Sequence, residues 1–189
     1  MDANAGGLHA PARQFEDTKK KAVELAGGLT EQQFNWRPAP ERWSIGQCLA
    51  HLATTDQALG AIDRAIDNAR THGWLASGPF RYGWFTRWMI GSMEPPPKRR
   101  MRTFPIFTPA GGVLSRDDVL KTLTASRDRL LARIQGAAGL DLKRAIVVSP
   151  ASKLFRIPLG GYFAFLAAHD RRHLWQARQV RVASGFGNS

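Results

Sequence analysis

A chain of 189 residues with 43% hydrophobic content and six tryptophans can bury a substantial core but is short for two ordinary domains, so a single domain over 1–189 is expected. Its one cysteine, Cys48, excludes an intramolecular disulfide and a cysteine-rich zinc cluster, leaving nitrogen and oxygen donors for any metal. The 27 Lys and Arg against 15 Asp and Glu give a net charge of +12, which permits attraction to nucleic acid, anionic membrane or acidic substrate without specifying one.

Residues 1–11 read as a mobile tail, and Met1 to Gln14 lack the basic start and continuous apolar stretch of a signal peptide. No apolar run approaches the ~20 residues of a membrane span, so a soluble cytoplasmic protein is expected. The first helix is predicted over Ala12 to Gly27, with Phe15, Ala22, Leu25 and Ala26 on one stripe and Gly27-Gly28 as its stop. A short turn at Thr30 to Phe34 leads into Arg37-Pro38-Ala39-Pro40, where the prolines break any helix.

The second helix starts at Ser44, which with Gln47 forms an S-x-x-Q capping box. Ile45, Cys48, Leu52, Leu59, Ile62 and Ile66 then share one face, so this helix is expected to run unbroken to about Ala69–His72. Residues 73–114 form a long connection with one short helix around Phe80, Trp84, Phe85 and Trp88; prolines and Gly111-Gly112 make the rest irregular. Its run Lys98-Arg99-Arg100-Met101-Arg102 is read as a solvated surface. With no interleaved aromatic-basic motif, nucleic-acid binding is not expected. Trp84, Phe85 and Trp88 are candidates for a homodimer surface.

Ser115 and Asp118 start a third helix, buried through Val119, Leu120, Leu123, Leu130, Leu131 and Ile134; Arg127, Arg129 and Arg133 are read as its solvated face. No alternating strand pattern stands out. After a connection over Asp141 to Pro158, a fourth helix places Leu159, Tyr162, Leu166, His169, His173, Ala177 and Val180 on one face. The expected fold is therefore all-α: a four-helix bundle, up-down-down-up, in which the long link lets helices two and three run parallel.

His169 and His173 are one turn apart on a core-facing stripe, and His51 lies at the inner edge of the second helix. Antiparallel packing of helices two and four sets the three at similar height. Two readings stay open. They are core histidines, each satisfied by a carbonyl or carboxylate, or they bind one divalent ion that holds neighbouring imidazoles in their neutral form. Three histidines without a fourth ligand suit a catalytic centre with a position left for water or substrate; zinc, nickel, iron and manganese all accept such donors.

Trp43-Ser44-Ile45-Gly46-Gln47-Cys48-Leu49-Ala50-His51-Leu52, preceded by Trp36-Arg37-Pro38, resembles the signature of the DinB-like (YfiT-like) superfamily. His169-Asp170-Arg171-Arg172-His173-Leu174-Trp175-Gln176 is similar to its carboxy-terminal H-x-x-x-H-x-x-Q motif. The resemblance implies a four-helix bundle with one divalent metal on three histidines, which fall here on His51, His169 and His173. Relatives implied by it include bacillithiol-dependent S-transferases, a mycothiol-dependent isomerase and metal-binding domains of enzymes that join sulfur to histidine derivatives.

Around the triad, Gln47, Thr55 and Gln176 are candidates to face the ion or a ligand, against capping for Gln47 and helix packing for the others. Arg172 is a candidate for a substrate carboxylate, against a solvent-facing role. The expected function is a metal-dependent transferase that activates a low-molecular-weight thiol, or water, for attack on a small electrophile. The alternative is a non-enzymatic stress-response or partner-binding bundle with a structural or vestigial metal.

Overall fold

Helix α1 (His9–Ala26) buries Phe15, Thr18, Ala22, Leu25 and Ala26, a spacing of three and four residues that lines one face. It begins inside the expected tail, with Pro11 already buried. The computed structural model describes residues 7–97, 103–109, 111–150 and 152–188. The basic run from Lys98 to Arg102 lies outside them.

Two short-range devices start the next elements. Thr30 and Gln33 form a capping box on α2 (Glu31–Asn35), and Ser44 and Gln47 form the same box on α3 (Ile45–Ala53). In the second box Gln47 N–H donates to Ser44 Oγ at 3.0 Å and Ser44 N–H donates to Gln47 Oε1 at 3.1 Å.

The unbroken second helix expected from the sequence does not form. A 3-10 segment, Thr54–Ala58, separates α3 from α4 (Leu59–Thr71). The reason is local competition for carbonyls. Thr54 Oγ1 donates to the His51 carbonyl at 2.7 Å, Thr55 Oγ1 to the Leu52 carbonyl at 2.8 Å, and Arg127 Nη2 also to Leu52 at 2.6 Å.

The long connection carries α5 (Trp84–Met93) and a 3-10 turn at Pro105–Phe107, and leads to α6 (Arg116–Gly136), whose Ser115 cap accepts from Asp118 N–H at 3.3 Å. A hairpin that the sequence reading missed follows: β1 (Ile146–Val148) pairs antiparallel with β2 (Arg156–Pro158), Val147 opposite Ile157. Each strand has three residues, too few for alternation to register. Val147 and Ile157 enter the core.

Helix α7 (Leu159–Arg181) is the central element, packing against α1, α3 and α5. Its Gly160-Gly161 start admits the connection: an added Cβ would meet Tyr82 Oη at 2.0 Å and Thr86 Cγ2 at 2.6 Å, respectively.

The core divides in two. One apolar cluster joins Phe15, Ile62, Leu130 and Phe163; the other joins Ala22, Leu49, Leu123 and Leu174. Between the clusters the residues are polar and buried: Thr18 on α1, Thr55 in the 3-10 segment, Ser126 with Arg127 on α6, and Asp170 with His173 on α7. Each chain segment therefore crosses one shared polar layer, and the histidines lie in it.

Candidate metal centre

His51 ends α3, and His169 and His173 lie mid-way along α7. Position 46 sets the entry of α3, since a Cβ there would come within 2.7 Å of the Phe34 ring. Only glycine allows that approach. His51 and His173 are buried at 4% and 7% exposure, and His169 is partly exposed.

The three histidines offer nitrogens that all lie within 4.8 Å of one another, with His51 Nε2 and His169 Nε2 at 3.0 Å. Nitrogens on a tetrahedral ion at zinc–imidazole bond length stand about 3.4 Å apart. Donor nitrogens this close together are a set that could hold one ion.

The tautomer of His51 follows from its neighbour. His51 Nδ1 is 2.6 Å from the Phe107 carbonyl. A carbonyl only accepts, so Nδ1 carries the hydrogen and Nε2 presents a lone pair to the cluster. Thr54 Oγ1 also reaches this carbonyl, at 3.3 Å. His169 Nδ1 is buried without a hydrogen-bond partner among the described residues. Trp43 stacks on His173 with centroids 5.7 Å apart and leans on His51 at 4.8 Å; Phe165 stacks on His169 at 6.5 Å.

Electrostatics keeps these rings neutral. Burial lowers the pKa of His51, with Arg127 adding to the effect and the Phe107 carbonyl opposing it. His169 is held well below the usual imidazole value by burial, then by His173, His51, Arg127 and Arg172. His173 is lowered likewise by burial, His51 and Arg172, with Gln176 hydrogen bonding in the opposite sense. Neutral imidazoles keep the lone pairs that a cation needs.

Arg127 corrects the sequence reading. It was expected on a solvated face, yet it is fully buried, with Nη1 donating to Thr55 Oγ1 at 2.9 Å and Nε 3.0 Å from Asp170 Oδ2. The signal was available: Leu123, Arg127, Leu130 and Ile134 are spaced as one apolar stripe. Burial raises the Asp170 pKa while Arg127 and Thr18 draw it back. Arg129 and Arg133 pair with Asp56 and Asp63 at the surface.

The remaining candidates divide. Gln47 spends its side-chain oxygen on the Ser44 cap, and Thr55 serves Arg127 and Leu52. Gln176 acts on His173. Arg172 is buried at 8% exposure, against the solvent-facing role expected, and its Nη1 donates to the Ser92 carbonyl of α5 at 3.1 Å. Phe107 was not anticipated at the site; a backbone carbonyl has no sequence signature. Cys48 is buried and burial pushes its thiol up, which suits a core side chain and not a nucleophile.

The family model of the DinB superfamily matches residues 14–177, a span that contains all three histidines. The chain belongs to the DinB superfamily. It is also similar to the uncharacterized protein YuaE of Bacillus subtilis (strain 168), 21% identical over 168 residues covering 88% of this chain and 94% of that protein. No solved structure matches it. Within this DinB-superfamily chain, the described residues that bring three metal-type ligands together are His51, His169 and His173.

Proposed function

We propose that this chain binds one divalent metal ion through His51, His169 and His173 and works as a metal-dependent transferase on a small electrophilic substrate, with a low-molecular-weight thiol or water as the nucleophile. The observation that carries the reading is the convergence of the three imidazoles with the His51 lone pair fixed by the Phe107 carbonyl. A divalent ion at such a centre lowers the pKa of a thiol or water that joins it, supplying a nucleophile at neutral pH.

The chain's own residues have separable tasks. Phe107, whose carbonyl Thr54 also reaches, orients His51, and Trp43 and Phe165 wall the rings. Arg127 and Arg172 disfavour protonation of the imidazoles. The partly exposed side at His169 is where a substrate would enter. The donor set suits zinc, nickel, iron or manganese.

The outward aromatics of α5 favour a second reading. Trp84 and Trp88 are 72% and 61% exposed, as on a bundle that binds a partner or a second copy of itself around a structural metal. No helix among the described residues is long and apolar enough to cross a membrane.

Elemental analysis of the purified protein, with His51→Ala, His169→Ala and His173→Ala in parallel, tests the centre. Each variant is expected to lose the metal and keep its helix content, and full occupancy in any of them removes that residue from the ligand set. A screen of thiols against electrophiles, with and without added metal, tests the activity: turnover that requires the ion separates the enzyme from the partner-binding bundle.

A further inference from the structure

A cavity of about 530 Å³ opens beside α4 and β1, and no histidine of the metal centre lines it. Its floor is apolar. Ala61 and Ala65, one turn apart on α4, are small enough to leave a hollow, and Ile146 and Val148 face it from the strand whose middle residue, Val147, enters the core.

Three guanidiniums line this hollow: Arg64 from α4, Arg144 before β1, and Arg156 from β2. Arg156 is the ladder partner of Val148, which puts both on the same face of the hairpin. Arg144 Cζ lies over the Trp74 indole, 4.4 Å from the ring centroid, a cation–π contact that fixes the position of the charge and uses none of its N–H donors in a hydrogen bond.

Among the described residues, Arg64, Arg144 and Arg156 form no salt bridge. The acids closest to them in sequence have other contacts: Asp63 pairs with Arg133 at 3.0 Å, Asp67 lies 3.9 Å from Arg70, and Asp141 accepts from the backbone N–H groups of Lys143 and Arg144 at 3.0 Å. Like charges around one hollow repel each other, and an anion between them reverses the sign of that term. Planar guanidiniums match the oxygen geometry of a phosphoryl group, and the volume falls within the few hundred Å³ of small-molecule sites.

We propose that this cavity binds a small organic phosphate, its dianionic phosphoryl group between Arg64, Arg144 and Arg156 and its organic part on the Ala61, Ala65, Ile146 and Val148 floor. The assignment does not rest on the metal centre.

Calorimetric titration of the EDTA-treated full chain with phenyl phosphate, inorganic phosphate and phenol tests it, the chelator keeping the histidine centre from taking the anion. Saturable binding of phenyl phosphate is expected, tighter than inorganic phosphate, with no binding of phenol. Arg144→Gln and Arg156→Gln should each weaken it about tenfold or more, and Arg144→Lys, which keeps the charge but loses the fork, should weaken it with helix content unchanged. Arg178→Gln, an equal loss of charge outside the cavity, should leave binding intact. The proposal is overturned by the absence of saturable binding, by equal weakening in Arg178→Gln, or by undiminished affinity in Arg144→Gln/Arg156→Gln. Inorganic phosphate binding as tightly as phenyl phosphate overturns the role of the floor.

Discussion

An imidazole at this centre that takes up a proton becomes a cation beside two other rings and within the field of Arg127, with little water to solvate it. The folded-state pKa values of His51, His169 and His173 therefore lie below the ordinary value of 6.5. Between the folded and unfolded values the unfolded chain holds more protons, so stability rises with pH across that window and is lost as pH falls below about 6.5. The metal-free protein should show a falling denaturant midpoint between about pH 7 and pH 5, and His169→Gln/His173→Gln should flatten that dependence. A wild-type midpoint that does not move with acidification contradicts the picture of rings kept neutral.

At the scale of elements, the approach of α2 to α3 depends on one missing methyl group. Alanine is the better helix former by about 1 kcal/mol, so propensity alone predicts that Gly46→Ala stabilises. The Phe34 ring at 2.7 Å from the added Cβ predicts the reverse, a loss of about 1–3 kcal/mol from overpacking. Chemical denaturation decides by sign, and a more stable variant means Phe34 moves aside freely.

The parts of the fold that were legible in the sequence share a cause. The Ser44–Gln47 box, the stripe through His169 and His173 and the short helix at Trp84 all arise from residues within a turn or two of each other. What was not legible depends on distant partners. The break after α3 needs Arg127 from α6, the burial of Arg172 needs Ser92 of α5, and the third support of the centre is a carbonyl from a loop. A three-residue strand such as Ile146–Val148 forms because its hairpin caps the core, and three residues carry no period.

Across the whole molecule, the buried Arg127–Asp170 pair ties α6 to α7 while Arg127 also holds the Leu52 carbonyl of α3 and Thr55 just after it. Removing one member leaves the other charge desolvated and alone. Arg127→Met is therefore expected to cost about 3–5 kcal/mol, and Arg127→Met/Asp170→Leu, which removes both charges, to recover most of that loss. Denaturation midpoints of the wild type and these two variants measure it. Equal destabilisation in both would mean that the hydrogen bonds to Thr55 and Leu52, and not the charge pair, hold the layer.

The Phe107 carbonyl has a further effect, because it belongs to a loop and not to the helices. An ion bound as proposed would favour the ring orientation that Phe107 selects, and so the loop conformation that brings this carbonyl to His51. By reciprocity, whatever docks on the loop and holds Phe107 there must strengthen ion binding by the same factor by which the ion strengthens docking. On the proposed metal-binding reading, the loop would report occupancy of the centre to a partner that never touches a histidine.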